Sequence, residues 1–218
     1  MDTKCIYCLN NGQSSKEHVV LNAFTQGIRE NLTIKNVCSS CNQYFGDKID
    51  IMLARQDPYK TIRDLKNFHG IILKGNIDPH DPTGRAIHRA ITKIGFNYAA
   101  KVTENLGLNS PVYNGDFDRT RKFILTGEDP GYGTLIVPYM WHQTKTIKHH
   151  ILSIDIVRPE SEWLFVVYVE LYNTLRFQVT LSKNYQGICL PNLARSHIFD
   201  LEQKVCFPTN PQWVMSRA

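Results

Sequence analysis

Residues 5–8 read Cys5-Ile6-Tyr7-Cys8, and residues 38–42 read Cys38-Ser39-Ser40-Cys41-Asn42. Each cysteine pair has two residues between its thiols, a spacing at which both thiolates can reach one metal ion from a tight turn. Two such pairs supply the four ligands of a tetrahedral zinc site, which then has no open position. The sequence therefore predicts a structural Zn²⁺ held by Cys5, Cys8, Cys38 and Cys41.

Two other interpretations of these cysteines are two disulfides or four buried free thiols. Disulfides are disfavoured because the N-terminus, Met1-Asp2-Thr3-Lys4, is polar and does not resemble a secretory signal. Cys189 and Cys206 stand apart in the sequence and are expected to be buried small apolar side chains. Since no apolar run is long enough to span a membrane, we expect a cytoplasmic protein without a membrane partner.

The composition is that of an ordinary globular protein. The 218 residues are 42% hydrophobic and 21% charged, enough for one large domain or two small ones. The net charge of +5 and the pI of about 8.8 permit a nucleic-acid partner without requiring one.

The N-terminal part, residues 1–57, predicts the order strand, strand, helix. Residues 1–16 are rich in turn formers and are expected to be a loop, while residues 17–21 and 31–37 have the composition of short strands. A helix capped by Ser39 or Ser40 is predicted to begin near Cys41. It should end by Asp57, because Pro58 disfavours helical geometry at the residue before it.

Four polar residues of this part complete a recognisable pattern. An acidic residue joined to a histidine lies in the first strand, one asparagine precedes the second cysteine pair and another follows it; these residues are Glu17, His18, Asn36 and Asn42. Over about residues 5–55 the pattern resembles the HNH endonucleases, which have the ββα-metal fold. It is more similar to the zinc-stapled members, such as the phage junction-resolving enzyme endonuclease VII.

The resemblance implies a role for each of these residues. His18 would be the general base, Glu17 and Asn42 would hold one catalytic divalent cation, and Asn36 would hold the loop and orient the histidine. The third motif residue is Asn42 in place of histidine and the acidic residue is Glu17 in place of aspartate; each still offers an oxygen ligand. The products implied are a 5′-phosphate and a 3′-hydroxyl.

The residue types support this chemistry independently. A neutral imidazole titrates near the working pH and can take a proton from water. Carboxylate and amide oxygens are hard ligands that suit Mg²⁺ or Mn²⁺. Neighbouring residues of a regular strand point to opposite faces, so Glu17 and His18 can serve one phosphate only if the strand bends. The alternative is that Glu17-His18 is a solvated dipeptide on a zinc module.

Residues 58–110 are predicted to be a helical connecting region. An amphipathic helix is expected over residues 85–102, with apolar side chains on one face and Arg85, Arg89 and Lys93 among the polar ones. The favoured interpretation is that this helix packs on the core with its charges in water. The alternative is that Arg85, Arg89 and Lys93 contact nucleic-acid phosphates.

Residues 111–218 are predicted to form a β-rich domain for recognition, dimerisation or scaffolding, which makes the whole chain an α+β protein. Antiparallel strands are expected at residues 122–125, 134–137, 151–157, 163–172 and 175–181. Lys145 and Lys148 belong to the densest basic cluster and are candidates for phosphate contacts, although a solvent-exposed loop explains them equally well.

The resulting hypothesis is a metal-dependent DNA endonuclease with a structural Zn²⁺ and a catalytic Mg²⁺ or Mn²⁺. Restriction, phage defence and mobile elements are the contexts in which such enzymes occur, and a homodimer is a possible assembly. Two alternatives stay open: a non-catalytic zinc module that binds nucleic acid or protein, and a nuclease directed at RNA.

Overall fold

The chain has an α+β fold, as the sequence predicted, with a small N-terminal sheet, a long central helix and a larger C-terminal sheet. No helix in the described part of the chain has the length and apolar character needed to cross a membrane. The computed structural model describes residues 2–25, 27–28, 31–55, 60, 81–106, 110–132, 134–136, 149–158, 162–172, 175–186 and 196–209.

The N-terminal sheet has three antiparallel strands in the order β1-β2-β3. They are β1 (Asp2–Lys4), β2 (Asn11–His18) and β3 (Thr33–Cys38), and a short helix, α1 (Asn22–Thr25), follows β2. The prediction of a loop over residues 1–16 is therefore wrong. The early part of β2 is polar and largely exposed, so it lacks the alternation of apolar side chains by which a half-buried strand is recognised.

A helical segment follows β3, as predicted, but it begins at Ser39, directly after the strand, and not near Cys41. It consists of α2 (Ser39–Phe45), a π-helical turn (Gly46–Asp50) and α3 (Ile51–Arg55). The expected serine cap is wrong: Cys38 is the N-cap and its side chain makes no capping bond. Ser39 instead donates its hydroxyl to the Gln13 carbonyl oxygen at 3.1 Å, which ties the start of α2 to β2. Asp57 and Pro58 lie outside the described residues.

The central helix, α4 (Pro82–Asn105), is 24 residues long and extends the predicted range at both ends. Asp81 caps its N-terminus by accepting hydrogen bonds from the amides of Thr83 and Gly84, at 2.9 and 3.0 Å. Gly95 lies against the C-terminal sheet, where a Cβ would come within 3.4 Å of Val167 and Val179 side chains. The middle of α4 is buried because the helix packs against both the N-terminal part and this sheet.

Residues 122–125 form part of a helix, α5 (Asp118–Thr126), so the strand predicted there is wrong. An apolar run within a four-residue segment is too short to distinguish a strand from one turn of a buried helix. Gly127 ends the helix in the left-handed region, with φ of +79°. Arg89 of α4 donates to the Ile124 carbonyl oxygen at 2.8 Å and so satisfies one of the last carbonyls of α5.

The C-terminal sheet is antiparallel and has the strand order β4-β7-β6-β5-β8-β9. The four strands predicted beyond residue 130 are confirmed, apart from residue 137, which lies outside the described residues. Two further short strands, the last two, were not predicted from the sequence. The strands are β4 (Thr134–Ile136), β5 (His149–Val157), β6 (Leu164–Leu171), β7 (Leu175–Lys183), β8 (Ser196–Asp200) and β9 (Val205–Thr209).

A buried histidine of β5 ties this sheet to the N-terminal part. The amide of Tyr172 donates to His150 Nδ1 at 3.0 Å, so Nε2 carries the proton and donates to the Phe24 carbonyl oxygen of α1 at 3.2 Å. The side chain is 0% exposed, and burial lowers its pKa to about 4. His197 of β8, which bonds to the Tyr98 hydroxyl group, likewise has a pKa lowered to about 4, chiefly by burial.

We expect these two histidines to make the fold sensitive to mild acid. Their pKa is 6.5 when unfolded and about 4 when folded, so only the unfolded chain takes up protons between these values. Stability should be fully present above about pH 6.5 and fall towards pH 4, by about 3 kcal/mol for His150 at the usual ~1.4 kcal/mol per pKa unit. Urea unfolding across this pH range measures the loss. The loss of unfolding free energy between pH 6.5 and pH 4 should be smaller in His150→Gln and smaller still when His197→Gln is added. If the unfolding free energy of the double variant depends on pH as that of the parent does, these two histidines are not its source.

Candidate functional site

The four cysteines predicted to bind zinc lie together. Their sulfur atoms are all within 4.8 Å of one another, and the Sγ atoms of Cys8 and Cys38 are 3.8 Å apart. A tetrahedral Zn²⁺ with Zn–S bonds of about 2.3 Å requires sulfurs about 3.8 Å apart, so the spacing fits zinc. The cysteines in the described residues, Cys206 included, form no disulfide. Cys189 lies outside the described residues.

The two cysteine pairs lie in two different local structures, a turn between strands and the junction of a strand with a helix. Cys5 and Cys8 lie in the turn between β1 and β2, which the Leu9 amide closes by donating to the Cys5 carbonyl oxygen at 3.0 Å. Cys38 is the last residue of β3 and Cys41 lies in the first turn of α2. A hydrogen bond from the Cys41 thiol lowers the pKa of Cys5 to about 4, while that of Cys41 is raised.

A β-bulge in β2 separates Glu17 from the regular part of the strand. The pairing of β2 with β3 shifts register between Ser15 and Glu17. Beyond the bulge, Glu17 is 4% exposed and its side chain contacts α4, whereas His18 is half-buried and contacts Asn31. The register shift lies before Glu17, and Glu17 and His18 then pair regularly with Ile34 and Thr33, so the two side chains point to opposite faces of the strand.

Glu17 belongs to a buried ionic cluster that the sequence did not reveal. Lys93 of α4 places its ammonium nitrogen 2.6 Å from Glu17 Oε1 and within 2.8 Å of both carboxylate oxygens of Asp50. Asn97, one helical turn further on, donates to Glu17 Oε1 at 3.3 Å and to the His18 carbonyl oxygen at 3.2 Å. The hydroxyl group of Tyr7, between the first two cysteines, donates to Asn97 Oδ1.

Burial raises the pKa of Glu17, and the neighbouring Lys93 ammonium acts against this shift. Glu17 Oε2 makes no hydrogen bond or ion pair with any described residue, because Lys93 and Asn97 both contact Oε1.

Among the described residues, the side chain that contacts the His18 ring is that of Asn31, whose Nδ2 lies 2.9 Å from His18 Nδ1. Burial lowers the pKa of His18, and the charges of Lys16 and Lys93 lower it further. The imidazole is consequently neutral at neutral pH, the form in which it can accept a proton.

The two asparagines of the motif, Asn36 and Asn42, lie before and after the second cysteine pair in the chain. Asn42 donates through Nδ2 to Ser15 Oγ at 2.5 Å and to the Lys16 carbonyl oxygen at 3.2 Å, which fixes it beside the strand that carries Glu17 and His18. Its Oδ1 has no hydrogen-bond partner in the described part of the chain.

Asn36 ties β3 to the first cysteine turn, because its carbonyl oxygen accepts from the Ile6 amide at 2.9 Å. Its Oδ1 is buried without a hydrogen-bond partner among the described residues. The described side chain that contacts the His18 ring is Asn31, so the orienting role that the resemblance suggested for Asn36 is not carried by a direct contact.

The basic residues predicted to contact phosphate have different environments. Lys93 is 1% exposed, so the expectation that its charge lies in water is wrong, and its ion pairs with Glu17 and Asp50 explain how it is buried. Arg89 donates hydrogen bonds to a carbonyl oxygen at the end of α5, whereas Arg85 is exposed. Lys145 and Lys148 lie outside the described residues.

Sequence reasoning missed Asn31 and Asn97, and it gave Lys93 a different role from the one that its ion pairs show. Lys93 and Asn97 follow Glu17 by 76 and 80 positions, so no local motif could reveal them. A lysine and an asparagine at i and i+4 inside an apolar helix were the available signal, since such residues are buried only when they have partners.

Comparison with known proteins agrees with this geometry for the N-terminal part. Residues 5–58, a quarter of the chain, match the model of the HNH endonuclease family. No curated protein and no solved structure matches the chain. The resemblance predicted from the sequence is thus confirmed for this segment, and the clustered cysteines fit a zinc-stapled HNH module.

Proposed function

We propose, from the HNH endonuclease match of residues 5–58, that this protein hydrolyses DNA phosphodiester bonds with His18 as the general base. The single observation that carries the proposal is the half-buried neutral imidazole of His18, fixed beside Glu17 on a bulged strand that the cysteine cluster fastens to α2. Such a group, held in place at a metal-stapled site, is suited to accept a proton from water.

The chain's own residues would divide the work as follows. His18 takes the proton of the attacking water, and Asn97 holds the backbone beside it by donating to the His18 carbonyl oxygen. Glu17 and Asn42 would hold one divalent cation through Oε2 and Oδ1, with Mg²⁺ or Mn²⁺ the ions that match these oxygens. When bound, that cation supplies a Lewis acid for the scissile phosphate and the leaving oxygen.

The remaining parts of the proposal rest on the sequence. One hydrolytic step of this kind leaves a 5′-phosphate and a 3′-hydroxyl. Residues 58–110 would connect the nuclease module, residues 1–57, to a β-rich domain over residues 111–218 that serves recognition, dimerisation or scaffolding. Arg85 is the exposed basic residue of α4 that stays a candidate for phosphate contact.

We expect His18→Ala to cut supercoiled plasmid about 10²- to 10⁴-fold more slowly than the parent protein with Mg²⁺ or Mn²⁺, the usual contribution of a general base. His149→Ala, a half-buried histidine of β5, is the matched control and should cleave like the parent. Zinc content and circular dichroism establish that both variants are folded.

Equal cleavage by His18→Ala and the parent would refute the role of His18. A parent protein that binds zinc and nucleic acid but cleaves neither DNA nor RNA would favour the non-catalytic zinc module. Parallel assays on DNA and RNA strands of the same sequence distinguish the DNA enzyme from an RNA-directed one.

A further inference from the structure

We infer that Lys16 and Lys35 bind the phosphate backbone of nucleic acid beside His18, on the exposed face of the N-terminal sheet. The inference rests on the proposed function, because it takes nucleic acid to be the substrate of this site. Neither lysine is one of the four polar residues of the HNH pattern, so the two add a binding surface to that site.

The pairing of β2 with β3 places the two lysines opposite each other. At the register shift, residues 15 and 17 of β2 pair with residues 37 and 34 of β3, so Lys16 faces Lys35 and Asn36. Both lysines are exposed, whereas Glu17 and Ile34 beside them are buried, so the lysine side chains lie on the outer face of the sheet. Like charges directly opposite each other on neighbouring strands destabilise a sheet. An anion bound at the two lysines removes this repulsion.

His18 lies on the same outer face. It pairs with Thr33, which is two residues from Lys35 and therefore on the same side of β3. Burial lowers the pKa of His18, and the positive charge of Lys16 lowers it further, so Lys16 is also close to the imidazole. A nucleic-acid backbone that contacts both lysines therefore passes next to the proposed general base.

The charges around the two lysines favour a polyanion. Lys16 and Lys35 form no ion pair with a described residue, and the acidic residues among positions 11–46 are Glu17 and Glu30. Glu17 is buried on the inner face, where Lys93 lies 2.6 Å from its Oε1 and balances its charge. Glu30 lies outside the described residues. A polyanion that approaches the outer face thus meets two lysines whose charges the described carboxylates do not neutralise.

The salt dependence of DNA binding tests the inference. Fluorescence anisotropy of a labelled DNA duplex reports binding by the zinc-loaded protein without added divalent cation. Each phosphate contact contributes about 0.9 to the slope of log K against log salt concentration, so Lys16→Gln and Lys35→Gln should each lower the slope by about that amount. The double variant should lower it by about 1.8. Lys16→Arg and Lys35→Arg keep the charge and should retain the slope of the parent.

Lys183→Gln is the matched control, because it removes the charge of an exposed lysine of β7. It should bind DNA like the parent. A double glutamine variant whose affinity and salt slope equal those of Lys183→Gln would overturn the inference, and so would a parent that binds neither DNA nor RNA.

The binding assay needs no cleavage, so it separates this inference from the proposed function. A parent that binds DNA with the expected slopes but does not cut it supports the role of the lysines and refutes the nuclease. A parent that cuts DNA, with salt slopes that the glutamine variants leave unchanged, supports the nuclease and refutes the role of the lysines.

Discussion

Cys41→Ser is expected to lose zinc and unfold the N-terminal module. The four sulfurs meet within 4.8 Å and come from two segments that are 29 residues apart, so the ion closes the loop between them. Structural zinc contributes about 10–16 kcal/mol to the folding of zinc-finger peptides, and a hydroxyl does not replace a thiolate ligand. Elemental analysis should find about one zinc per chain in the parent and less than half of that in the variant, with lost ellipticity and earlier proteolysis of residues 1–57.

The matched control is Cys206→Ser, which changes a cysteine of β9 outside the cluster. It should retain the zinc content and the thermal midpoint of the parent. A Cys41→Ser protein that keeps a full equivalent of zinc and an unchanged midpoint would show that the cluster is not a four-thiolate site.

Lys93→Met is expected to destabilise the protein by about 3–5 kcal/mol, the usual cost of removing one partner from a buried ion pair. The ammonium of Lys93 is held by Glu17 and Asp50 and lies 5.2 Å from the centre of the Phe45 ring. Methionine fills a similar volume but leaves two neighbouring carboxylates without a cation. Urea unfolding of the zinc-loaded protein measures the loss.

Lys122→Met is the comparison that isolates burial. The Lys122–Glu128 pair has the same nitrogen–oxygen distance as the Lys93–Asp50 pair, 2.7 Å, but its side chains are 59% and 58% exposed. Exposed ion pairs contribute about 0–1 kcal/mol to the free energy of unfolding, so Lys122→Met should be nearly as stable as the parent. Equal losses in the two variants would mean that burial does not determine the cost of removing one partner of the pair.

The cysteine cluster and the HNH module could be predicted because their signals are local. Two thiols with two residues between them reach one ion whatever surrounds them, and Glu17-His18 lies between the two cysteine pairs in the chain. The strands β5, β6 and β7 were likewise predictable, since long runs of β-branched and aromatic residues are typical of buried strands. The strand expected at residues 122–125 was wrong because a four-residue run gives no period.

The amino-acid sequence by itself determined the cysteine cluster, the α+β class and the histidine that the proposed reaction needs. Only the tertiary structure decided what surrounds them: that Lys93 is an internal counter-ion of Glu17 and not a surface charge, and that Asn31 holds the His18 ring. The physical reason is that zinc ligation follows from the spacing of residues in two short segments. A buried charge or a protonation site depends on partners that the chain brings together from distant positions.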